Sequence, residues 1–290
     1  MSQYEASAVW PAPAKLNLLL HITGRRADGY HELQTVFQFV ELCDALTFRA
    51  NEDGRVRRLS GSAEISPEDD LVVRSAGALK SATGTPLGAE IRVTKRIPAG
   101  AGLGGGSSDA ATTLHALNKL WKLELDVDRL AAIGLTLGAD VPVFVCGFAA
   151  FAEGVGERLQ PVSPGQSWYL IITPDVHVST AEIFADPDLT RDSPAIKICD
   201  LSACRWDNVC TPVVIKHYPE VARALELLGC VGEARMSGTG SSVFAQFASR
   251  HGAEQALQQL QAHAGWSDQW QAFICQGRNR SPLFEFMETL

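Results

Sequence analysis

The chain has 290 residues, 25 Lys and Arg against 33 Asp and Glu, a formal charge of −8, and 46% hydrophobic to 20% charged residues. This balance excludes a disordered chain, and the length favours two domains, divided near residue 155 into 1–155 and 156–290. Neither part has the basic surplus of a duplex-binding face or a polybasic anchor, so nucleic acid and membrane are not expected as partners.

The first ten residues show no basic start followed by an apolar stretch, so no secretory leader is expected. A strand is predicted over 15–21, with Leu16, Leu18 and Leu20 on one face and Lys15 and Asn17 on the other. The pair Asp28-Gly29 reads as a turn into a second strand over 34–40. A third strand spans 90–95, with Ile91 and Val93 inward and Pro98 closing it. A glycine-rich loop follows, and Ser107 or Ser108 reads as the N-cap of a helix carrying Ala110, Leu114, Leu117 and Trp121. A second helix is predicted over 126–137, with Gly138 at its stop. The run 141–152 is the longest apolar stretch, but Pro142, Gly147 and its length make it core rather than a bilayer span.

The second half reads as a strand over 168–173 and a short helix capped by Ser179 or Thr180 and carrying Ile183 and Phe184. A helix over 219–228, stopped by Gly229, comes next. A Gly/Ser loop over 237–242 leads into a strand over 243–247, then a helix over 254–263 and a strand over 270–275. Trp121 and Trp270 read as core. The alternation is irregular, which predicts an α+β fold. Seven Cys without a C-x-x-C pair read as buried thiols of a cytoplasmic protein. Cys199, Cys204, Cys210 and His217 lack the spacing of a structural zinc site.

The densest signal is Pro98, Ala99, Gly100, Ala101, Gly102, Leu103, Gly104, Gly105, Gly106, Ser107, Ser108. Glycine permits positive φ and close approach of a ligand to the main chain, and a helix start favours an anion, most simply a phosphate. The bland alternative is a flexible linker before a capped helix. Gly100, Gly102 and Gly105 satisfy G-x-G-x-x-G, but the second strand and acidic residue of a dinucleotide fold are missing. There is no Walker A lysine and no protein-kinase motif set.

Three blocks in order, Pro13-Ala-Lys15-Leu-Asn17-Leu, the loop PAGAGLGGGSSDAA and Met236-Ser-Gly-Thr-Gly-Ser-Ser-Val-Phe244, resemble the three motifs of the GHMP kinase superfamily. The segments Arg26-Ala-Asp-Gly-Tyr-His-Glu-Leu-Gln-Thr35 and Gly138-Ala-Asp-Val-Pro-Val-Phe144 resemble one branch of it, which phosphorylates the 2-hydroxyl of 4-diphosphocytidyl-2-C-methyl-D-erythritol. The resemblance implies a two-domain α+β fold. Its ATP-binding N-terminal domain resembles domain 2 of ribosomal protein S5, its C-terminal substrate domain is ferredoxin-like, and the cleft lies between them. It also implies ATP and Mg²⁺ as cofactors.

The resemblance assigns Asp140 as general base and Lys15 as its electrostatic partner, residues 98–108 to ATP, and Gly238, Thr239, Gly240 and Ser241 to the phosphate region. Asn17, Tyr30, His31, Thr180 and Phe184 fall to the acceptor, with Tyr30 and Phe184 clamping its base. Ser108 is the candidate metal contact. Spacing alone leaves Asp140 equally readable as a helix cap and Lys15 as a solvent-facing lysine. Another kinase of the superfamily, acting on homoserine, mevalonate or a sugar, stays open as an alternative, as does a catalytically silent nucleotide-binding protein.

Overall fold

A computed structural model describes residues 8–27, 29–60, 69–201 and 206–290. Asp28 of the expected turn and Cys204 lie outside them. Two long strands, β1 (Trp10–Arg25) and β2 (His31–Asn51), form an antiparallel hairpin that organises the molecule. The free edge of β2 takes three partners along its length. These are β5 (Ala150–Gly154) over 33–37, β10 (Gln271–Arg278) over 39–40, and β4 (Gly88–Thr94) over 45–51. The short strands β3 (Val56–Arg58) and β6 (Arg158–Pro161) extend the sheet beside β4 and β5. Beyond β10 lie β7 (Trp168–Thr173), β9 (Val243–Phe247) and β8 (Arg235–Met236), all paired antiparallel.

Helices α1 (Leu71–Thr83), α2 (Gly105–Leu120), α3 (Val127–Leu135) and α4 (Val141–Cys146) cover the first part of this sheet. Their core holds Leu79, Ile91, Leu114, Leu117 and Phe144. On the second part lie α5 (Thr180–Ala185), α6 (Thr211–His217), α7 (Pro219–Gly229) and α8 (Arg250–Gln261), packed around Leu170, Ile172, Val214 and Leu228. A third cluster with Leu16, Leu19, Val36, Phe151, Tyr169 and Phe244 joins the two parts. The final helix, α9 (Pro282–Met287), returns to the first core: Leu283 is buried there and the Phe286 ring meets Trp10 at 5.2 Å.

Local chemistry explains most boundaries. Asp70 accepts from Val72 N–H at the start of α1, Asp126 from Arg129 N–H at α3, and Ser179 from Glu182 N–H at α5. Four expectations shift. Neither Ser107 nor Ser108 caps α2, because Gly104 at φ +71° occupies the N-cap and the helix starts three or four residues earlier. Gly229 is the last residue of α7 rather than the stop after it, and α8 begins at Arg250 rather than near 254. The alternation in β1 breaks at an irregularity between Asn17 and Leu19, so Leu20 turns to the same cleft as Lys15 and Asn17.

Candidate active site

The hairpin, the glycine loop and the second Gly/Ser loop converge on Lys15. A second register shift in β1, between Pro13 and Lys15, frees the Lys15 amide, which donates to Leu103 O at 3.0 Å and stitches the loop to the strand. The Lys15 side chain is buried, and its ammonium has three polar partners. It donates to Asn17 Oδ1 and to Gly102 O (3.2 Å) and pairs with Asp140 Oδ2 at 3.3 Å. The Phe37 ring lies beneath it at 5.3 Å. Asn17 is fixed in turn, because its Nδ2 donates to Thr35 Oγ1 (2.8 Å), which donates to Leu19 O. Lys15 is therefore no solvent-facing lysine.

Asp140 sits in the N-cap position of α4, yet its side chain makes no capping hydrogen bond. The carboxylate is turned to Lys15 instead, with 37% of the side chain exposed to the cleft. That combination suits a group that must meet a reactant: oriented by a cation and still reachable.

The loop 98–104 is held from both sides. Ser237 Oγ donates to Gly102 O (2.9 Å), Ser242 N–H to Ala101 O (3.1 Å), and Asn17 N–H to Ser237 Oγ (3.1 Å). The two glycine loops touch directly, since a Cβ on Gly102 would lie 2.1 Å from Ser237 O. Gly104 is equally constrained, because a Cβ there would lie 2.8 Å from Phe144 and 3.1 Å from Lys15 Cε. The first intrahelical bond of α2 is Ser108 N–H to Gly104 O (2.9 Å), so the amides of Gly105, Gly106 and Ser107 have no acceptor within the helix, an end that favours an anion.

Beneath the loop, Lys95 Nζ bridges Asp44 (2.5 Å) and Asp109 (2.7 Å), while Asp44 Oδ1 accepts from the amides of Arg96 and Ile97. Burial pushes the Asp109 carboxyl up to about 7; Lys95 pulls it down and Asp44 pushes it up again. Burial opposes the charge on Lys95, but the two carboxylates outweigh it and hold its ammonium above the usual range.

Three cavities meet end to end. The middle one, about 480 Å³, holds Lys15, Asn17, Asp140, Gly238, Thr239 and Gly240. One neighbour, about 390 Å³, is walled by Pro98, Ala99, Ala101, Gly105, Gly106, Lys95 and Asp109, and shares Gly100, Gly102, Gly104 and Ser107 with the middle. The other, about 550 Å³, is walled by Arg25, Tyr30 and His31, and shares Leu33, Ala139, Val155, Thr180 and Phe184 with it. The outer two share no residue.

Not every expected residue lies on a wall. Leu103 and Ser108 are buried behind the loop, and Ser107 lines the cavities where Ser108 was expected. The Ser108 hydroxyl has no hydrogen-bond partner among the described residues. Ser241 is buried behind the second loop, its hydroxyl on Pro174 O (3.4 Å). The His31 ring stacks on Phe184, at 5.1 Å and 30°, and Tyr30 is exposed on the rim of the same cavity. Thr180 Oγ1 meets Thr239 Oγ1 at 2.9 Å, tying α5 to the second loop.

Sequence reading passes over His177 and Lys95. His177 lines the middle cavity against Gly100, where a Cβ would lie 2.4 Å from its Nδ1. A lone histidine outside any motif gives no signal. Lys95, at the end of a predicted strand, is distinguished only by partners 51 and 14 residues away. Among the described residues no cluster of three His, Cys, Asp or Glu could hold a metal, and no helix is long and apolar enough to cross a membrane.

Known proteins share this architecture. The model of the GHMP kinase N-terminal domain matches residues 70–148, and that of the C-terminal domain matches 193–265. A 4-diphosphocytidyl-2-C-methyl-D-erythritol kinase of Shewanella baltica is 54% identical over 94% of this chain and 95% of its own length. One from Shewanella oneidensis is 54% identical over 98% of each. A crystal structure of a 4-(cytidine 5'-diphospho)-2C-methyl-D-erythritol kinase superposes with a TM-score of 0.79 at 33% identity, covering 93% of this chain and 99% of that one. The mevalonate kinase of Methanococcus jannaschii shares the fold, with a TM-score of 0.69 at 15% identity over 95% of this chain and 99% of its own.

Proposed function

The chain belongs to the GHMP kinases and, within them, to the 4-diphosphocytidyl-2-C-methyl-D-erythritol kinases, and from that premise we propose its reaction and the residues that perform it. The enzyme transfers the γ-phosphoryl group of ATP to the 2-hydroxyl of 4-diphosphocytidyl-2-C-methyl-D-erythritol, giving the 2-phosphate and ADP in the non-mevalonate isoprenoid route. One observation carries the reading. Two outer cavities, one walled by backbone amides and one by aromatic rings, open into a middle cavity whose charged centre is the Lys15–Asp140 pair. Such a cleft takes two different reagents from opposite ends and brings them together at that pair.

ATP enters on the glycine-loop side, where the amides of Gly105, Gly106 and Ser107 receive phosphate oxygens. The acceptor enters on the aromatic side, its base between Tyr30 and Phe184 beside His31, its hydroxyl toward Asn17 and Thr180. Asp140 accepts the hydroxyl proton as the new phosphorus–oxygen bond forms. Lys15 orients Asp140 through their ion pair and faces the charge that develops on the transferring group. Gly238, Thr239 and Gly240 close the phosphate region, and Ser241 supports them from behind.

Mg²⁺ fits the donor set. It keeps most of its ligands as water and substrate phosphate, so a site with few protein oxygens suits it. Ser107 on the cavity wall and the unpartnered Ser108 hydroxyl buried next to it are the hydroxyl oxygens this loop offers. When bound, the ion neutralises the β and γ oxygens. Residues 1–155 are assigned to ATP and 156–290 to the substrate half, in a cytoplasmic enzyme.

The test is an ADP-release assay with the cytidyl acceptor, with ³¹P NMR of the product. A new phosphomonoester resonance and stoichiometric ADP are expected. Equal or greater turnover with homoserine or mevalonate refutes the acceptor. Tight ATP binding without ADP from any acceptor refutes the kinase.

A further inference from the structure

Arg191 is absent from all three cavity walls, yet one guanidinium ties their aromatic end together. Its Nη2 donates to Phe184 O (2.9 Å) and Asp186 O (2.7 Å), and its Nη1 to Leu189 O (3.1 Å). The first two carbonyls lie at the C-terminal end of α5, where a helix leaves acceptors unsatisfied. The Arg191 Nε donates to His31 Nε2 across 3.1 Å. His31 opens β2 and its ring stacks on Phe184, so Arg191 fixes both rings and spans the two halves of the molecule.

The chemistry of that contact is one-sided. An arginine Nε carries a hydrogen and is never an acceptor. His31 Nε2 must therefore present its lone pair, and in the neutral ring the proton sits on Nδ1. We propose that Arg191 is a positioning residue that locks His31 as the Nδ1–H tautomer, so that the aromatic pocket offers a fixed hydrogen-bond donor to the acceptor edge of a cytosine. Cytosine carries lone pairs on N3 and O2, whereas a uracil ring has N–H at position 3 and meets the same donor with another donor. The inference deepens the cytidyl-acceptor reading and rests on it for the ligand, though not for the tautomer. Two cations flank the ring, Arg191 from the loop after α5 and Arg25 opposite it on β1. Burial, then Arg191, then Arg25 depress its titration, which keeps the ring neutral and able to accept.

The first experiment needs no substrate. Long-range ¹H–¹⁵N correlation spectra of the ¹⁵N-histidine-labelled full chain, with His31 assigned through His31→Gln, read the tautomer directly. The expected result at neutral pH is a neutral ring with the proton on Nδ1. In Arg191→Gln that preference is lost and the ring titrates at higher pH, because removing a nearby cation favours the charged imidazole. A proton on Nε2, or a charged ring at neutral pH in the wild type, overturns the assignment.

The second experiment compares KM values. Arg191→Gln should raise KM for the cytidyl acceptor about tenfold, the worth of one well-made hydrogen bond to a charged or fixed partner, and leave KM for ATP within about twofold. It should also narrow the preference for the cytidyl over the uridyl analogue. Arg191→Lys keeps the charge but not the planar fork, so it should not restore the acceptor KM. Parallel changes in both KM values, or full rescue by lysine, overturn the positioning role. Absence of any cytidyl turnover by the wild type refutes the proposed substrate, and the spectra still decide the tautomer.

Discussion

Replacing Asp140 with Asn separates the proposed base from its surroundings. The amide matches the carboxylate in shape and can still accept from Lys15, which also keeps Asn17 and Gly102 O. The Asp140 side chain caps nothing in α4, so the helix loses no hydrogen bond. Basicity and one negative charge are what disappear. General-base catalysis contributes about 10²–10⁴-fold, or about 2.7–5.5 kcal/mol of activation free energy, and kcat should fall by that factor. The missing charge acts the other way on binding. At the observed 3.3 Å and an effective dielectric of about 20, the ion pair is worth about 5 kcal/mol, and the 37% exposure of Asp140 roughly halves that. Lys15, no longer neutralised, turns its charge to the phosphates. ATP affinity by calorimetry should therefore hold or rise while ADP release at saturation falls at least about a hundredfold. The melting temperature should fall by several degrees, because Lys15 stays buried without its counter-charge, but the variant should still fold. Near-normal turnover refutes the base, and a loss of ATP affinity in step with kcat refutes the electrostatic reasoning about Lys15.

Gly104→Ala should be damaging, since a positive φ costs a side chain about 1–2 kcal/mol and the new Cβ meets Phe144 at 2.8 Å; denaturant titration should show a loss of about 2 kcal/mol or more, with KM for ATP raised. Phe184→Ala removes the ring stacked on His31 and should raise KM for the cytidyl acceptor while KM for ATP holds; equal changes in steady-state assays argue against the aromatic side as the acceptor's. Asp109 gives a pH test. Its carboxyl titrates near 7 in the fold against an ordinary 3.8, so the native state binds more protons between those values. Its contribution is complete below about pH 4 and fades as pH rises through about 7. Asp109→Asn removes that dependence, so the melting temperature of the variant relative to the wild type should climb from about pH 5 to about pH 8; a constant difference refutes the raised titration.

What the sequence makes legible is local. The glycine loop, the strand bearing Lys15 and Asn17, the strand 168–173 and the Ser179 cap are written in residue types and spacings that act within a few positions. The start of α2 was obscured because two serines look like better caps than Gly104, and only the close approach of Phe144 and Lys15 reveals why glycine holds that place. Leu20 escaped strict alternation because a register shift leaves no trace in a row of leucines. Lys95, His177 and Arg191 owe their positions to partners distant in the chain, and no periodicity encodes those. The sequence also left open whether the stretch after Gln276 returns to the first domain; α9 does, through aromatic packing that only tertiary structure displays.

That return ties the site to the order in which the protein is synthesised. The Phe284 ring lies where a Cβ on Gly147, at the end of α4, would stand only 2.2 Å away; Ser281 N–H bonds Gly147 O, and Ala149 N–H bonds Asn279 O. Asp140 stands at the other end of that short helix. The segment bearing the proposed base is thus buttressed by residues made more than 130 positions later on the ribosome. The first half of the chain can collapse early, but its helix α4 gains this support only after 279–287 have emerged. A nascent chain stalled before that point lacks the prop behind Asp140.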